Sequence, residues 1–173
     1  MILRAFVGAF ACALLVSGCE KSRPNSPAPT NVVRAAQGVP QPRLPTLKLR
    51  VSGKEIVAEL AIRDRERMTG MMYRESMGED EGMLFVFEFP HRAAFWMKNT
   101  KVPLSAAYID PEGVIQEIHD LEPGNLASVE ARSDRIQYVL EMNRDWFKRN
   151  NIAPGALIVT EKGSFAKVFF GRN

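Results

Sequence analysis

Four residues in one short stretch combine polar donors with a large aromatic ring. Trp96 is followed by Lys98, Asn99 and Thr100, which carry an ammonium, an amide and a hydroxyl group. Such groups can hold a carboxylate, a phosphate or a sugar, and the indole ring can stack against the bound molecule. Together with Arg74, these residues are the predicted binding site for a small anionic or sugar ligand. The alternative is that the donors only satisfy backbone groups where a strand ends.

Two carboxylates are candidates for acid–base chemistry. Glu81 stands directly before an apolar run, and Glu141 lies near the end of a predicted strand. Either could act with Lys98, provided that the groups meet in one pocket. The sequence contains no Gly-x-Ser-x-Gly motif, no glycine-rich phosphate loop and no His-Glu-x-x-His motif. We therefore predict a non-enzymatic binding or interaction module, with an enzyme as the alternative.

Methionine and histidine are the residues that bear on metal binding. Only His91 and His119 are present, so a site built from several imidazoles is excluded. Thioethers favour Cu(I), but methionine is also a flexible core filler. The methionines that are close in sequence are Met68, Met71, Met72, Met77, Met83 and Met97. The helical spacing of the first three is typical of a packed face. Copper binding stays an alternative, and we predict no metal site and no cofactor.

The first residues of the chain indicate its compartment. Arg4 precedes an apolar run, residues 5–16, that is too short to cross a bilayer as a helix. Small residues then lead directly into Cys19, a pattern that resembles the lipobox of bacterial lipoprotein signal peptides. The resemblance implies that residues 1–18 are removed and that lipid on Cys19 anchors the chain to a membrane. Because Cys12 lies in the removed segment, the mature chain would have no free thiol and no disulfide.

This signal predicts a protein of the bacterial cell envelope that is lipid-anchored and faces the periplasm. Glu20 stands where an aspartate is the familiar inner-membrane retention signal, which favours the outer membrane. Nucleic acid is not an expected partner in that compartment. Without residues 1–18 the net charge falls from +3 to +2, because Arg4 is their only charged residue. Such a small excess bears on solubility rather than on recognition. The enzyme alternative would act on envelope polymers or small molecules.

Composition divides the mature chain into two parts. Residues 19–45 are rich in proline and polar residues and have no apolar period, which predicts a semi-extended tether after the lipidated cysteine. Residues 46–173 have the length of one domain. Short alternating or apolar runs, separated by turn residues, predict a mainly β fold there. We expect a single compact antiparallel β sandwich or barrel with two short helices.

Particular segments carry this fold prediction. The apolar run at 82–87 predicts a strand buried on both faces. Residues 104–109 and 114–121 predict a hairpin around the turn Asp-Pro-Glu-Gly at 110–113. Residues 156–160 and 165–170 are predicted to be the strands that close the sheet.

The two predicted helices run from Asp64 to about Met72 and around Trp146. In the stretch around Trp96, residues 95–97 are expected to anchor a strand in the sandwich. The polar residues that follow would then mark the point where this strand emerges.

An ordered series of motifs runs through the predicted domain. The motifs are T-G-M-M-Y-R at 69–74, E-G-M-L-F-V-F at 81–87, F-W-M-K-N-T at 95–100 with P-L at 103–104, and Y-V-L-E at 138–141 with I-A-P-G at 152–155. This series closely resembles the family called domain of unknown function 192. The resemblance implies a compact, mainly β sandwich of jelly-roll type in a prokaryotic family with many secreted or membrane-anchored members, and it brings no established activity. Ser105 departs from the acidic residue expected after the Pro-Leu pair, which weakens any proposal that needs a carboxylate there.

Overall fold

The computed structural model of the protein describes residues 38–172. The predicted signal peptide, the lipidated Cys19 and most of the predicted tether lie outside these residues and stay predictions. The described chain is mainly β, a curled sheet in the form of a half-barrel with three short helices. The predicted fold class, a β sandwich or barrel with short helices, is confirmed. Within residues 38–172, no helix is both long and apolar enough to cross a membrane.

Strands and helices alternate unevenly along the chain. The strands are β1 (Thr46–Val51), β2 (Lys54–Ala61), β3 (Glu81–His91), β4 (Ala94–Phe95), β5 (Leu104–Ile109), β6 (Ile115–Leu121), β7 (Val129–Glu130), β8 (Ile136–Asn143) and β9 (Ile158–Thr160). The helices are α1 (Asp64–Thr69), α2 (Trp146–Arg149) and α3 (Phe165–Phe170).

Seven of these strands form one sheet in the order β6-β5-β8-β3-β2-β1-β9, and β4 pairs with β7. The pairing is antiparallel between all named strands except β2 and β3, which are parallel. A parallel pair needs a crossover connection, and here the crossover contains α1 and the loop after it. The predicted antiparallel sheet is therefore interrupted at one pair.

The middle of the sheet is buried on both faces. Strands β5 and β8 are buried along almost their whole length, and β3 is buried through its first half. Continuous apolar runs are expected of such strands, so the predicted strand at 82–87 is present as part of β3. The predicted hairpin is also present, with the Gly113 amide donating to the Asp110 carbonyl at 3.1 Å between β5 and β6.

Each face of the sheet carries an apolar cluster. We call one the helix face, because α2 and α3 cover it. We call the other the motif face, because residues 69–78 and 96–103, which carry two of the motifs, cover it. The helix face includes Leu84, Leu140, Trp146 and Phe165. The motif face includes Met71, Phe85, Met97 and Val139.

Of the two predicted closing strands, the first is present as β9, but residues 165–170 form α3 and not a strand. Ser164 is the N-cap, where its side chain accepts a hydrogen bond from the Lys167 amide, and Gly171 ends the helix in the left-handed region at φ 63°. The apolar residues of the segment recur at helical spacing and pack against the helix face. The strand prediction is wrong because it rests on the apolar, β-forming composition of these six residues, whereas the two capping residues favour a helix.

The predicted strand around Trp96 is shorter than expected. Strand β4 ends at Phe95, and the Thr100 amide then donates to the Met97 carbonyl at 3.1 Å to form a turn. Asn99 occupies the left-handed region at φ 56°, which asparagine tolerates. Phe95 and Met97 pack in the motif face, but Trp96 is 47% exposed and does not anchor the segment. That part of the anchoring prediction is wrong, because a turn reorients the indole ring toward solvent.

Candidate functional site

One row of residues across the motif face brings two glutamates onto the same side of the sheet. Glu59 in β2 is opposite Met83 in β3, Met83 is opposite Glu141 in β8, and Glu141 is opposite Ala106 in β5. Since neighbouring strands lie about 4.8 Å apart, the Cα atoms of the two glutamates are about 10 Å apart. Glu59 is 4% exposed and Glu141 is 3% exposed. A buried carboxylate needs partners, so the surroundings of each one decide its role.

Glu59 is held by hydrogen bonds from three residues. Arg74 donates from Nη1 and Nη2 to the two carboxylate oxygens, each at 2.7 Å, which is the strong bidentate arrangement. Arg43 Nη1 donates to Oε1 at 2.7 Å, and the Leu44 amide donates to Oε2 at 2.8 Å. Arg74 is only 8% exposed, so it forms a buried ion pair with Glu59.

These contacts determine the charge of Glu59. Burial by itself raises the pKa of this carboxyl, but the hydrogen bonds from Arg74, Leu44 and Arg43 outweigh burial, and the pKa is lowered. Glu59 is therefore ionised at neutral pH. It acts as a fixed negative charge that orients the two arginines rather than as a proton donor.

A cavity of about 370 Å³ opens beside this ion pair. Its size lies in the range of small-molecule sites, about 300–1,000 Å³. The residues that line it are Arg43, Leu44, Thr46, Val57, Glu59, Met71, Met77, Glu81 and Gly82. A glycine is required at position 82, because a Cβ there would lie 2.7 Å from the carbonyl oxygen of Glu141 and 2.5 Å from Met142 Sδ.

Arg43 and Glu81 are the charged lining residues that reach solvent. Their side chains are 64% and 44% exposed, and Arg43 Nη1 lies 3.4 Å from Glu81 Oε2. Glu81 Oε2 also accepts a hydrogen bond from the Gly78 amide at 3.1 Å. Arg43 Nε and Nη2, and Glu81 Oε1, make no hydrogen bond to any of residues 38–172. As far as the described residues go, the cavity therefore presents unused cationic donors beside an unused anionic acceptor.

Glu141 lies on the same face of the sheet but does not line the cavity. Its side chain makes no hydrogen bond within the described part of the chain, and burial raises its pKa to about 8. The carboxyl is therefore mainly protonated at pH 7. A raised pKa of this kind suits a general acid, but Glu141 is enclosed in the centre of the sheet.

The three groups of the predicted acid–base site lie in different places. Glu81 stands at the cavity beside Arg43, and Glu141 is buried outside the cavity lining. Lys98 is exposed, and its Nζ lies 5.2 Å from the centre of the Trp96 ring. Lys98 forms no ion pair with either carboxylate within residues 38–172. The convergence that the enzyme alternative requires is not found among the described residues.

Most of the predicted ligand donors have other partners. Arg74 is committed to the buried ion pair. Asn99 Nδ2 donates to the Tyr73 hydroxyl at 2.7 Å, and Thr100 Oγ1 donates to the Lys98 carbonyl at 3.3 Å. These contacts favour the alternative interpretation, in which Asn99 and Thr100 satisfy local groups at a chain turn.

The remaining two residues of that prediction, Trp96 and Lys98, form an exposed surface. The ammonium lies over the indole ring in a cation–π contact. This surface adjoins the junction of the two covering segments, where the Tyr73 amide donates to the Asn99 carbonyl at 2.8 Å. Trp96 and Lys98 are thus accessible to a ligand, but Arg74 is directed away from them.

The methionines are also divided. Met71 and Met77 line the cavity, whereas Met68 is 76% exposed. Helix α1 ends at Thr69 and not near Met72, so the predicted helix is too long and the helical spacing of these methionines has no structural meaning. Two thioethers do share the cavity wall. In residues 38–172, no cluster of three or more histidine, aspartate or glutamate side chains is placed to hold a metal ion.

Ser105 marks the position where the family resemblance implies an acidic residue. Its side chain is buried, where it donates to Asp120 Oδ1 at 2.5 Å and accepts from the Asp145 amide at 2.9 Å. Ser105 is paired with Met142, which belongs to the helix face. The polar group is therefore on the side of the sheet opposite to the cavity.

Arg43 and Glu59 are cavity residues that the sequence analysis does not single out. The alternation in β2 predicts that Glu59 points to solvent, but β2 lies between β1 and β3 and is covered on both faces at that point. Arg43 belongs to the predicted tether. Nevertheless, contacts to the domain begin before it, since Gln41 Nε2 donates to the Gly70 carbonyl at 2.9 Å. An acidic residue within the apolar run at 56–62 is the signal that could have indicated a buried pair.

Comparison with known proteins identifies the family. The model of domain of unknown function 192, described as "Uncharacterized ACR", matches residues 47–160. The chain belongs to this family, and the resemblance seen in its motifs is confirmed. No curated protein gives a significant match to the chain.

Two solved structures are similar to this chain. A protein of Sinorhizobium meliloti 1021 described as a "putative transcription regulator" is 33% identical, with a TM-score of 0.66 over 69% of this chain and 97% of that one. A protein of unknown function from Novosphingobium aromaticivorans DSM 12444 is 30% identical, with a TM-score of 0.62 over 66% of this chain and 85% of that one. The match covers nearly the whole Sinorhizobium chain, so that protein consists of little more than the fold that the two chains share.

Proposed function

We propose that this protein is a lipid-anchored binding protein of the bacterial cell envelope, which holds a small ligand through an anionic group in the cavity beside Arg43. The lipobox-like sequence before Cys19 supports the location. The cavity and its charged mouth support binding rather than catalysis, since the candidate acid–base groups are dispersed. The proposed partners are the membrane, through lipid on Cys19, and the small ligand.

The observation that carries the ligand proposal is the position of Arg43. Glu59 holds Nη1 of its guanidinium, while Nε and Nη2 have no partner within residues 38–172 and the side chain is 64% exposed. A guanidinium binds a carboxylate or phosphate through paired donors. Because a buried ion pair already orients this one, a ligand can bind with little further ordering of the side chain.

Calorimetric titration of the full-length protein in detergent with 4-methylpentanoate tests the site. This probe is a carboxylate with a short apolar chain. We expect binding that weakens at least tenfold in Arg43→Gln. Arg50→Gln is the matched control, because Arg50 is also exposed and also pairs with a glutamate, Glu55, but does not line the cavity. Binding that Arg43→Gln leaves unchanged, or no binding, would contradict the proposal.

A sugar ligand would use the exposed surface of Trp96 and Lys98 instead. Titration with maltose distinguishes this possibility, because an uncharged sugar gains little from Arg43 and much from stacking on an indole ring. Maltose binding that is lost in Trp96→Ala and kept in Arg43→Gln would move the site to that surface and overturn the cavity proposal.

The anchor has its own test. Cys19→Ser removes the predicted lipid-accepting thiol and should leave an uncleaved precursor. Metabolic labelling with a fatty acid should mark the wild-type protein and leave the variant unlabelled. Label on the variant would show that the signal is misread. Separation of inner and outer membranes then tests the preference for the outer membrane that Glu20 suggests.

Copper binding is a second candidate function, because Met71 and Met77 line the same cavity. Two thioethers suit Cu(I), and the bound small molecule or solvent would supply the third donor atom. Competitive titration of Cu(I) against the wild-type protein and Met71→Leu with Met77→Leu tests this. Affinity weaker than micromolar, or equal in both proteins, would eliminate the copper alternative.

A further inference from the structure

Arg43 and Glu81 place opposite charges side by side at the opening of the cavity. Arg43 Nη1 and Glu81 Oε2 are 3.4 Å apart, and each side chain has polar atoms without a partner in the described residues. A molecule that carries a carboxylate and an ammonium on one carbon matches this pair. Its carboxylate would accept from the unused Arg43 donors, and its ammonium would donate to Glu81 Oε1.

The charges around the cavity favour a ligand without net charge. Arg43 and Arg74 are positive, whereas Glu59 and Glu81 are negative, so the group is balanced. A ligand with one net charge would leave that charge uncompensated beside a partly buried ion pair, which is unfavourable. A zwitterion adds one charge of each sign and keeps the balance.

The rest of the cavity lining is largely apolar. Leu44, Val57, Met71 and Met77 line it next to the charged pair. Leu44 and Met77 also pack against the motif-face cluster, so this wall continues the core. Thioether side chains adapt to differently shaped apolar groups. An apolar side chain on the carbon that carries both charges would therefore lie against this wall.

We infer that the cavity binds a free α-amino acid with an apolar side chain. The inference rests on the proposed function, since it assigns the anionic group of that ligand to an α-carboxylate, and it adds the ammonium and the side chain. A free amino acid fits better than a peptide, because the two ends of a peptide carry their charges on different residues.

Four probes separate the three parts of the inference: L-leucine, 4-methylpentanoate, 3-methylbutylamine and glycine. The second lacks the ammonium of leucine, the third lacks its carboxylate and the fourth lacks its side chain. In calorimetric titration of the full-length protein in detergent, leucine should bind at least tenfold more tightly than each of the other three.

Glu81→Gln isolates the ammonium contact. The variant keeps a carbonyl oxygen that can accept from the Gly78 amide but loses the charge. It should bind leucine at least tenfold more weakly and bind 4-methylpentanoate at least as tightly as wild type, because the variant removes a negative charge beside the carboxylate of the probe. Glu55→Gln is the matched control, because Glu55 is an exposed glutamate in an arginine pair outside the cavity. A thermal melt of each variant confirms that it is folded.

The outcomes separate the inference from the proposed function. If 4-methylpentanoate or glycine binds as tightly as leucine, or if Glu81→Gln retains full affinity for leucine, the inference is overturned while an Arg43-dependent anion site stands. If 3-methylbutylamine matches leucine, or if no probe binds, both the inference and the proposed function are overturned.

Discussion

Two glutamates in one row of the sheet have opposite surroundings. Glu59 and Glu141 flank Met83 on the motif face, and both are almost fully buried. Glu59 receives four hydrogen bonds, two of them from Arg74, and its pKa is lowered although burial acts against this. Glu141 receives none from residues 38–172, and burial raises its pKa to about 8. Partners, and not depth, decide whether a buried carboxyl is charged.

The two carboxyls therefore affect stability over different pH ranges. Glu59 has a lowered folded pKa, so its contribution is present above the unfolded pKa of about 4.3 and is lost as the pH falls through the folded value. Glu141 has a raised folded pKa, so the folded state becomes less favourable as the pH rises from about 4.3 towards 8. One glutamate stabilises the fold at neutral pH, and the other destabilises it.

Removing the partner of Glu59 should have the largest effect. Arg74→Ala leaves a buried carboxylate with only Arg43 and the Leu44 amide, and we expect a loss of about 3–5 kcal/mol in the free energy of unfolding. Urea unfolding at pH 7 measures this loss. Arg50→Ala is the control, because its pair with Glu55 is exposed and its removal should cost less than about 1 kcal/mol.

The same variants test the cause. If the ion pair is responsible, the difference in stability between Arg74→Ala and wild type should narrow as the pH falls through the lowered pKa of Glu59, because Glu59 is then protonated in both proteins. A loss below about 1 kcal/mol at pH 7 would show that Arg43 and the Leu44 amide suffice for Glu59. Glu59 would then stay charged with fewer hydrogen-bond donors than it has in the structure.

Glu141→Gln should have an effect of similar size, and its sign is opposite. The amide cannot ionise, so the variant avoids the cost of keeping a carboxyl protonated in the folded state. One pKa unit corresponds to about 1.4 kcal/mol, so the shift from about 4.3 to about 8 predicts a gain in stability of about 4–5 kcal/mol at pH 8. At pH 4, where Glu141 is mainly protonated in both states, the two proteins should unfold alike.

Urea unfolding at both pH values measures this gain. Leu140→Met, on the opposite face of β8, is a control for general repacking and should not show a pH-dependent difference. A Glu141→Gln variant that is less stable at pH 8 would show that the carboxyl has a stabilising partner there. The contrast with Glu59 would then disappear.

Particular residues show how far the sequence predicts this fold. The buried run in β3 and the Asp-Pro-Glu-Gly turn between β5 and β6 are local patterns, and both are predicted correctly. The identity of α3 depends on Ser164 and Gly171, two caps that outweigh the β-forming residues between them. The parallel pairing of β2 with β3 depends on the path of the crossover, which no local pattern encodes.

The candidate site is less predictable for a related reason. Arg43 meets Glu59 because β1 pairs with β2, with Thr46 opposite Glu59. Arg74 reaches Glu59 from the crossover between β2 and β3, whose path no local pattern encodes. Arg74 is predicted to bind a ligand, but its guanidinium group binds a carboxylate of the protein. Trp96 and Lys98 follow a short strand that turns earlier than their pattern indicates, so their side chains face solvent.

The two tryptophans also differ in burial, and we expect a smaller loss of stability from replacing Trp96 than from replacing Trp146. Trp96 is 47% exposed, so Trp96→Ala should cost less than about 1 kcal/mol. Trp146 is 0% exposed and its Nε1 donates to Asp80 at 3.0 Å, so Trp146→Ala is the control and should cost about 3–5 kcal/mol. Thermal melts compare the two variants. Equal losses would show that exposure does not separate their roles.

Lys98→Ala should have the smallest effect on stability. The Lys98 ammonium is exposed, and within residues 38–172 its one contact is the cation–π contact with Trp96. At an exposed site such a contact contributes about 0.5–1 kcal/mol. Side-chain freedom gained on truncation offsets part of this, so we expect a loss below about 0.5 kcal/mol in urea unfolding. Lys101→Ala is the matched control, because Lys101 is exposed and pairs with Glu75.

Complementation of a deletion strain tests whether Lys98 or the cavity is needed for function. If the cavity is the site, Lys98→Ala should complement fully while Arg43→Gln should not. Loss of complementation by Lys98→Ala with a normal unfolding curve would instead assign function to the Trp96 surface, and it would show that accessible groups, rather than the buried pair and its cavity, carry the activity of this protein.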